Sequence, residues 1–123
     1  MADTPTRVLA LRDLFRIGEW QHTLSWAPLR EGVEIHRLYG DGQTGPATAL
    51  LRFRPGAHVP VHEHTGYEHI LVLAGSQADE HGTSRAGDLI INPPETRHTV
   101  ISESGCIVLA IYESPVAFIE SQR

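Results

Sequence analysis

From residue 20 onward, short apolar runs alternate with turn-forming residues. Extended runs are predicted at residues 20–26, 33–39, 48–53, 57–64, 69–74, 88–92, 97–101 and 106–112. Most are rich in Val, Ile and Leu and end at Gly, Pro, Asp or Ser, and residues 40–46 are typical of a hairpin loop. This series of short strands predicts an all-β barrel or sandwich.

The first residues have a different pattern. Apolar side chains at Val8, Leu11, Leu14 and Phe15 have a spacing that fits a short amphipathic helix, although a strand through residues 8–11 also fits. No repeat, low-complexity tract or long linker divides the chain. We therefore expect one domain over residues 1–123, in which residues 1–19 form a helical or extended N-terminal extension and the tail after Pro115 adds a last short element.

Composition narrows the class of protein. The chain is 41% apolar and 20% charged, and no apolar run approaches the ~20 residues that span a bilayer. Because Asp3 stands where a signal peptide carries positive charge, and because Cys106 is the only cysteine, we expect a cytoplasmic protein without disulfides. Scattered arginines and a net charge of −5 argue against a nucleic-acid partner, and the absence of lysine excludes Schiff-base chemistry.

Four residues point to a metal site. His62 and His64 are two positions apart in a predicted strand, so both rings face the same side. Glu68 begins the next run, which we expect to pair with this strand as a hairpin and to bring the carboxylate back beside the rings. His98 lies on a later strand that could lie alongside. Three imidazoles and a carboxylate suit Fe, Zn, Ni, Cu or Mn, so we predict one divalent ion of undetermined identity.

The same residues carry a family resemblance. The pattern G-x5-H-x-H-x3-E-x6-G is matched at every position by Gly56, His62, His64, Glu68 and Gly75. This pattern resembles the first motif of the cupin superfamily. The resemblance implies a small cupin barrel, which is a double-stranded β-helix of the jelly-roll type, with the metal inside it.

The second cupin motif, G-x5-P-x-G-x2-H-x3-N, is matched only in part. Gly87, Pro93 and His98 fit, whereas Glu95 stands in place of glycine and Ser102 in place of asparagine. A glutamate with positive φ costs on the order of 1 kcal/mol, so we expect a different turn there.

The segments from His62 to Gly82, from Ala86 to His98 and from Ser102 to Cys106 resemble the cupin domains of ChrR-like anti-sigma factors. Such proteins add an N-terminal zinc-binding domain that captures the sigma factor. Nothing in the first twenty residues corresponds to that domain, so an anti-sigma role of this chain alone is not expected. These domains are similar in turn to small stand-alone cupins, some of which are dioxygenases. Because cupins commonly pair as homodimers, the resemblance also implies a homodimer.

Three functions stay open at this point. The first is a metal-dependent dioxygenase-type enzyme acting on a small organic molecule, with no catalytic residue assigned beyond the metal centre. The second is a non-catalytic ChrR-like module that senses a metal or ligand, and the third is a metal-dependent isomerase or lyase. Strand parity places Ile70, Val72 and Val100 in an apolar pocket beside the ion, and Tyr67 is a further candidate there.

The remaining histidines and the cysteine have simpler interpretations. His58 is expected at the surface or the rim of the pocket, and His69 on the opposite face from Glu68. His22, His36 and His81 are expected to be exposed or partly packed. Cys106 is expected to be a buried small hydrophobe.

Overall fold

The computed structural model describes residues 5–119. A helical segment at the N-terminus consists of two 3-10 turns, Leu14–Arg16 and Gln21–Thr23, on either side of the short helix α1, Ile17–Trp20. Ten strands follow: β1 Ala27–Arg30, β2 Val33–Tyr39, β3 Ala47–Phe53, β4 Ala57–Glu63, β5 Glu68–Asp79, β6 Gly82–Arg85, β7 Leu89–Asn92, β8 Arg97–Ser102, β9 Cys106–Tyr112 and β10 Ala117–Phe118.

All described strand pairs are antiparallel, in the order β1-β2-β3-β9-β5-β8-β4-β10. Strand β5 is twelve residues long and pairs with β6, β7, β8 and β9. Because one strand takes part in so many pairings, the sheet curls around its own inner face. The predicted all-β barrel is confirmed.

The barrel is packed on both faces of its central strands. The interior core includes Leu51 and Phe53 of β3 together with Val72 and Val108. Leu50, which points the other way along β3, packs in a second cluster on the outside of the sheet. As a result, six of the seven side chains of β3 are buried.

The outer cluster is covered by the N-terminal helical segment. Ile17 of α1 is fully buried and packs with Leu50, Leu73 and Ile107 of the sheet. Partly buried side chains of the segment and the sheet surround these four: Leu11, Leu14, Trp20, Leu24, Trp26, Leu71, Ala74 and Leu109. The N-terminal residues therefore complete the fold as its second hydrophobic layer.

The structure changes the predicted bounds of this segment in two places. Residues 20–26 were expected to be extended, but residues 20–23 are helical, and the first strand begins at Ala27. The tryptophan N–H groups contribute to this outcome, because that of Trp20 donates to Asp13 O (3.1 Å) and that of Trp26 to Gln21 O (3.0 Å). Helical structure begins at Leu14, so residues 8–11 form neither the expected helix nor a strand.

In the rest of the chain, the predicted and observed strands differ mainly in where they end. Strand β5 continues past the predicted end at residue 74 to Asp79, and β6 was not predicted. Gly75 lies within β5, just past the predicted end; its φ is 73°, and a Cβ there would overlap the carbonyl oxygen of Gly105. Only glycine fits at this bend. No helix among residues 5–119 is long and apolar enough to cross a membrane.

The packing of α1 predicts the effect of removing its central side chain. Ile17→Ala should lower the free energy of unfolding by about 2–4 kcal/mol, because a fully buried isoleucine leaves a cavity that the sheet cannot fill. Phe15→Ala is the matched control, since Phe15 is 61% exposed on the same segment and should have little effect. Urea unfolding followed by fluorescence measures both; equal effects would show that the segment does not dock as described.

Candidate metal centre and ligand cavity

Three buried histidines converge at one end of the barrel. His62 on β4 lies directly opposite His98 on β8, and the two Nε2 atoms are 3.0 Å apart. His64 follows the end of β4, and its ring centroid lies 5.2 Å from that of His62 and 4.7 Å from that of His98. All three are at most 5% exposed. Together they form a group that could hold a metal ion.

The other ring nitrogen of each histidine is held by an acceptor. His62 Nδ1 lies 2.9 Å from Pro60 O, and His64 Nδ1 lies 3.0 Å from both the carbonyl and the hydroxyl oxygen of Thr96. His98 Nδ1 lies 2.8 Å from Asp79 Oδ2. Because a carbonyl or a carboxylate can only accept, each Nδ1 carries the proton and each Nε2 presents a lone pair to the common centre.

Glu68 stands at the edge of this group. Its Oε1 accepts a hydrogen bond from Asn92 Nδ2 (3.0 Å) and lies 3.0 Å from His64 Nε2. In the part of the chain that the structure describes, His64 Nε2 has no hydrogen-bond partner, although it is fully buried. With the His64 proton on Nδ1, this contact joins two acceptors and cannot itself be a hydrogen bond.

The expected hairpin between the strands of His62 and Glu68 is wrong. Strand β4 pairs with β8 and β10, whereas β5 pairs with β9, β7, β6 and β8. The residues after His64 therefore cross from one pairing group to another, and Glu68 reaches the histidines across the barrel. Curvature of the sheet gives the proximity that we had expected from a local turn.

The donor set fits a divalent cation. Two short contacts bring lone pairs together. The Nε2 atoms of His62 and His98 are 3.0 Å apart, and His64 Nε2 lies 3.0 Å from Glu68 Oε1. A cation between the three histidines would take up their Nε2 lone pairs, in particular that of the unpartnered nitrogen of His64, and Glu68 lies at the edge of this group.

The protonation equilibria of two residues agree with this arrangement. Burial lowers the pKa of His62 below its ordinary value, which keeps the ring neutral and able to bind a metal. Burial by itself raises the pKa of Asp79, but the hydrogen bonds from His98 and from the His81 amide outweigh it and hold the pKa below its ordinary value. Asp79 is thus a carboxylate that holds the His98 ring in place.

A cavity of about 220 Å³ opens beside the histidines. Its polar lining consists of Arg30, Arg37, His62, Glu68, Gln77, His98 and Tyr112, and most of its other lining residues are apolar. Of the predicted pocket residues, Ile70 and Val100 line it, whereas Val72 is fully buried in the interior core. Tyr67 is 47% exposed and does not line the cavity, because it lies in the crossing between β4 and β5.

The remaining histidines lie outside the centre. His58 shares sequence parity with His62, but the register of β4 shifts between Val59 and His62, and His58 is exposed. His69 is half-buried away from the cavity, and His22 and His81 are exposed. His36 packs near Trp26, and its Nδ1 lies 2.8 Å from Ser25 O.

Cys106 is buried in the interior core, as expected. Burial raises the pKa of its thiol, which keeps it protonated.

Asp79, Asn92 and Thr96 are site residues that the sequence did not reveal. Each is hydrogen-bonded to a candidate ligand: Asp79 to His98, Asn92 to Glu68 and Thr96 to His64. Asn92 is the last residue of a strand that was predicted, and it directly precedes the Pro93-Pro94 turn, so its place at a strand end was a usable signal. Asp79 gave none, because its strand was predicted to end five residues earlier.

The expectation of a different turn at Glu95 was also wrong. Glu95 adopts a φ of 73°, with Pro94 before it and a hydrogen bond from Thr96 N to Pro93 O (3.3 Å), which is the pattern of a type II turn. The turn is tied to the metal centre, because Glu95 N donates to His64 O (2.7 Å) and His64 N donates to Thr96 O (2.9 Å). These two bonds hold the glutamate in a conformation that glycine prefers.

The fold agrees with that of known proteins. The model of the ChrR cupin-like domain matches residues 19–116. The chain belongs to the ChrR cupin-like family. The anti-sigma-E factor ChrR of Cereibacter sphaeroides is 37% identical over 105 residues, which are 83% of this chain and 48% of that protein. The chain thus spans about half the length of this curated relative.

Solved structures give the same result for the ChrR cupin-like domain. A chain in the crystal structure of Rhodobacter sphaeroides SigE in complex with the anti-sigma ChrR superposes with a TM-score of 0.68 at 35% identity, covering 78% of this chain and 53% of that one. An acetylacetone dioxygenase from Acinetobacter johnsonii superposes with a TM-score of 0.74 at 16% identity, covering 98% and 83%. The latter likeness shows the cupin fold alone.

The strained turn predicts a gain in stability. Glu95→Gly should be more stable than Glu95→Ala by about 1 kcal/mol, because only glycine adopts the left-handed conformation without a steric cost, and this outweighs its entropy loss. Both variants lose the same carboxylate, so their difference isolates the backbone. Thermal unfolding of the pair measures it, and an alanine variant as stable as the glycine variant would argue against strain at this turn.

Proposed function

We propose that this chain is a metal-binding sensor module of the ChrR cupin type. In this proposal one divalent ion, most simply zinc, is held by His62, His64 and His98, with Glu68 as the fourth donor. The main support is the Nε2 atom of His64. It is buried among the other histidine rings, and no proton donor of the described residues bonds to it. Three imidazoles with one carboxylate are a common donor set for catalytic and regulatory ions.

The ion would supply a Lewis-acid position at the floor of the cavity. The residues of the chain would do the rest. Pro60, Thr96 and Asp79 fix the ring tautomers, Asn92 orients Glu68, and the apolar walls limit the access of water. Phe118 of β10 lies over the centre, with its ring centroid 5.5 Å from that of His62, and shields it from solvent.

Sensing is favoured over catalysis by the family relationship. ChrR is an anti-sigma factor, and its structure was determined in complex with SigE. By analogy, occupancy of the site would be reported to a protein partner, a sigma factor or its regulator, through a surface of the domain. The dioxygenase likeness lies at 16% identity and supports no activity. The enzyme readings, dioxygenase or isomerase and lyase, are therefore secondary.

Homodimer formation and a cytoplasmic location stay predictions. Leu89 and Ile91 of β7 and Ile111 of β9 are exposed apolar side chains on the two strands that flank β5, and a second copy could cover them. Light scattering after size exclusion measures the association directly.

Metal content tests the proposal. The purified protein should contain close to one zinc per chain, and His62→Ala should lose it, because a buried three-histidine centre with one ligand missing binds zinc far more weakly. His58→Ala is the matched control, since it removes an exposed histidine from the same strand, and should retain the metal. Emission spectrometry provides the stoichiometry.

Equal zinc content in the two variants would refute the assignment of His62. Protein purified with iron, which then consumes oxygen on addition of a diketone or catechol, would instead support the dioxygenase reading. A sensor should bind zinc without any such turnover.

The carboxylate behind His98 should matter as well. Asp79→Asn should weaken zinc binding about 10- to 100-fold, because the amide holds the Nδ1–H of His98 less firmly and makes the ring a poorer donor. Glu80→Gln removes the charge of the next residue, which bonds to Thr99 instead, and serves as the control. Competition with a chelator of known affinity measures both, and equal affinities would show that Asp79 does not support the centre.

A further inference from the structure

The cavity is positively charged in an acidic protein. Within residues 5–119, the fully charged side chains that line it are Arg30, Arg37 and Glu68, so two cations accompany one carboxylate. The whole chain carries a net charge of −5. A positive interior in a negative molecule favours an anionic ligand over a neutral or cationic one.

Arg37 enters the barrel at a position where the strand pattern calls for an apolar residue. It follows Val33 and Ile35 at alternate positions of β2, and both of those belong to the interior core. It pairs in register with Ala49, which also belongs to that core. The side chain therefore lies on the inner face of the sheet and lines the cavity.

No carboxylate neutralises this arginine within the described residues. Arg16, Arg52 and Arg97 each form an ion pair at 2.7–2.9 Å. Arg37 forms none; its guanidinium lies against the backbone of Gly42, where a Cβ would be 2.8 Å from Nη1. A half-buried guanidinium without an anion loses hydration and gains no compensating bond, so such a position favours an incoming acid.

The two nearest acids of the chain are already engaged. Asp41 Oδ1 accepts hydrogen bonds from the amides of Gln43 and Thr44, at 2.8 and 3.2 Å, and forms no ion pair with Arg37. Glu68 is bound by Asn92 and faces His64. Neither acid therefore forms an ion pair with the guanidinium of Arg37.

Tyr112 offers a second donor at this end of the cavity. It lies in register with Glu68 of β5 and with Ala47 of β3, and it lines the cavity. A phenol is a hydrogen-bond donor at neutral pH, and among residues 5–119 the hydroxyl of Tyr112 has no hydrogen-bond partner.

We infer that the cavity binds a small organic acid whose carboxylate is held by Arg37 and the Tyr112 hydroxyl and whose apolar body packs against the barrel walls. A planar guanidinium and a phenol match the two oxygens of a carboxylate. The inference rests on the proposed role as a ligand-sensing module and names the class of ligand. At ~30 Å³ per water the cavity holds roughly seven waters, which suits an acid no larger than about ten non-hydrogen atoms.

Benzoate is the test probe, because it combines a carboxylate with a flat apolar body of suitable size. Benzamide has the same shape without the charge. Calorimetric titration of the protein as purified should show benzoate binding at least ten-fold tighter than benzamide. Arg37→Gln and the uncharged, unbranched Arg37→Met should weaken benzoate binding ~10- to 100-fold while leaving benzamide nearly unchanged. Tyr112→Phe should weaken it ~2- to 10-fold.

Two controls locate the effect. Arg54→Gln removes an arginine that lies outside this cavity and should bind benzoate as the unaltered protein does. Arg30→Gln tests the other lining arginine, whose guanidinium carbon lies 4.4 Å from the ring centroid of Phe118, and should have the smaller effect. Near-ultraviolet circular dichroism establishes that each variant is folded.

Undetectable binding at millimolar benzoate, equal binding of benzamide, or a loss in Arg30→Gln but not in the Arg37 variants would each overturn the inference. Zinc is measured on the same samples. Binding that depends on Arg37 in zinc-free protein would support the acid site and contradict the metal proposal. If zinc-loaded protein binds benzoate equally well with and without Arg37, the metal proposal would be supported and the acid site contradicted, since the acid would then bind the ion alone.

Discussion

Three N–H groups that point outward hold the candidate centre together. The Nδ1–H groups of His62, His64 and His98 donate to Pro60, Thr96 and Asp79. Because each proton is committed away from the centre, three lone pairs face one another in a buried space, an arrangement that is unfavourable without a cation. The backbone acceptors cannot move without disturbing strand β4 or the turn before β8. The rings are therefore positioned before any ligand arrives.

The barrel can maintain this arrangement because its walls are secured from both sides. Strand β3 carries the interior core on one face and the N-terminal helical segment on the other. Burial on both faces makes the sheet resistant to local opening. Strand β5 contributes Glu68 near its start and Asp79 at its end, so a single strand supplies both carboxylates that address the histidines. Its curvature, with Gly75 at the bend, sets their relative positions.

Much of this could be predicted from the sequence, for local reasons. Strand alternation put His62 and His64 on one side, and turn residues marked β2 and β9 at the bounds that the structure has. The prediction that a hairpin brings Glu68 to the histidines was wrong. A hairpin is the simplest local connection, whereas closing the barrel separates β4 from β5. The segment 20–26 was predicted to be extended because it is short and is followed by Pro28, yet its tryptophan N–H groups find partners in a compact turn. Such tertiary hydrogen bonds leave no periodic signal.

Several locally unfavourable features are concentrated around one end of the barrel. Glu95 holds a positive φ in the turn that fixes His64, His64 Nε2 is orphaned, and Arg37 enters the interior without an acid. Each costs stability in the free protein, and none is needed to form the barrel. A cation would compensate the nitrogen and an anion would compensate the guanidinium. The cation and the anion would bind in one cavity with opposite charges, so each would favour the binding of the other. Binding of both would raise the stability of the fold more than binding of either alone.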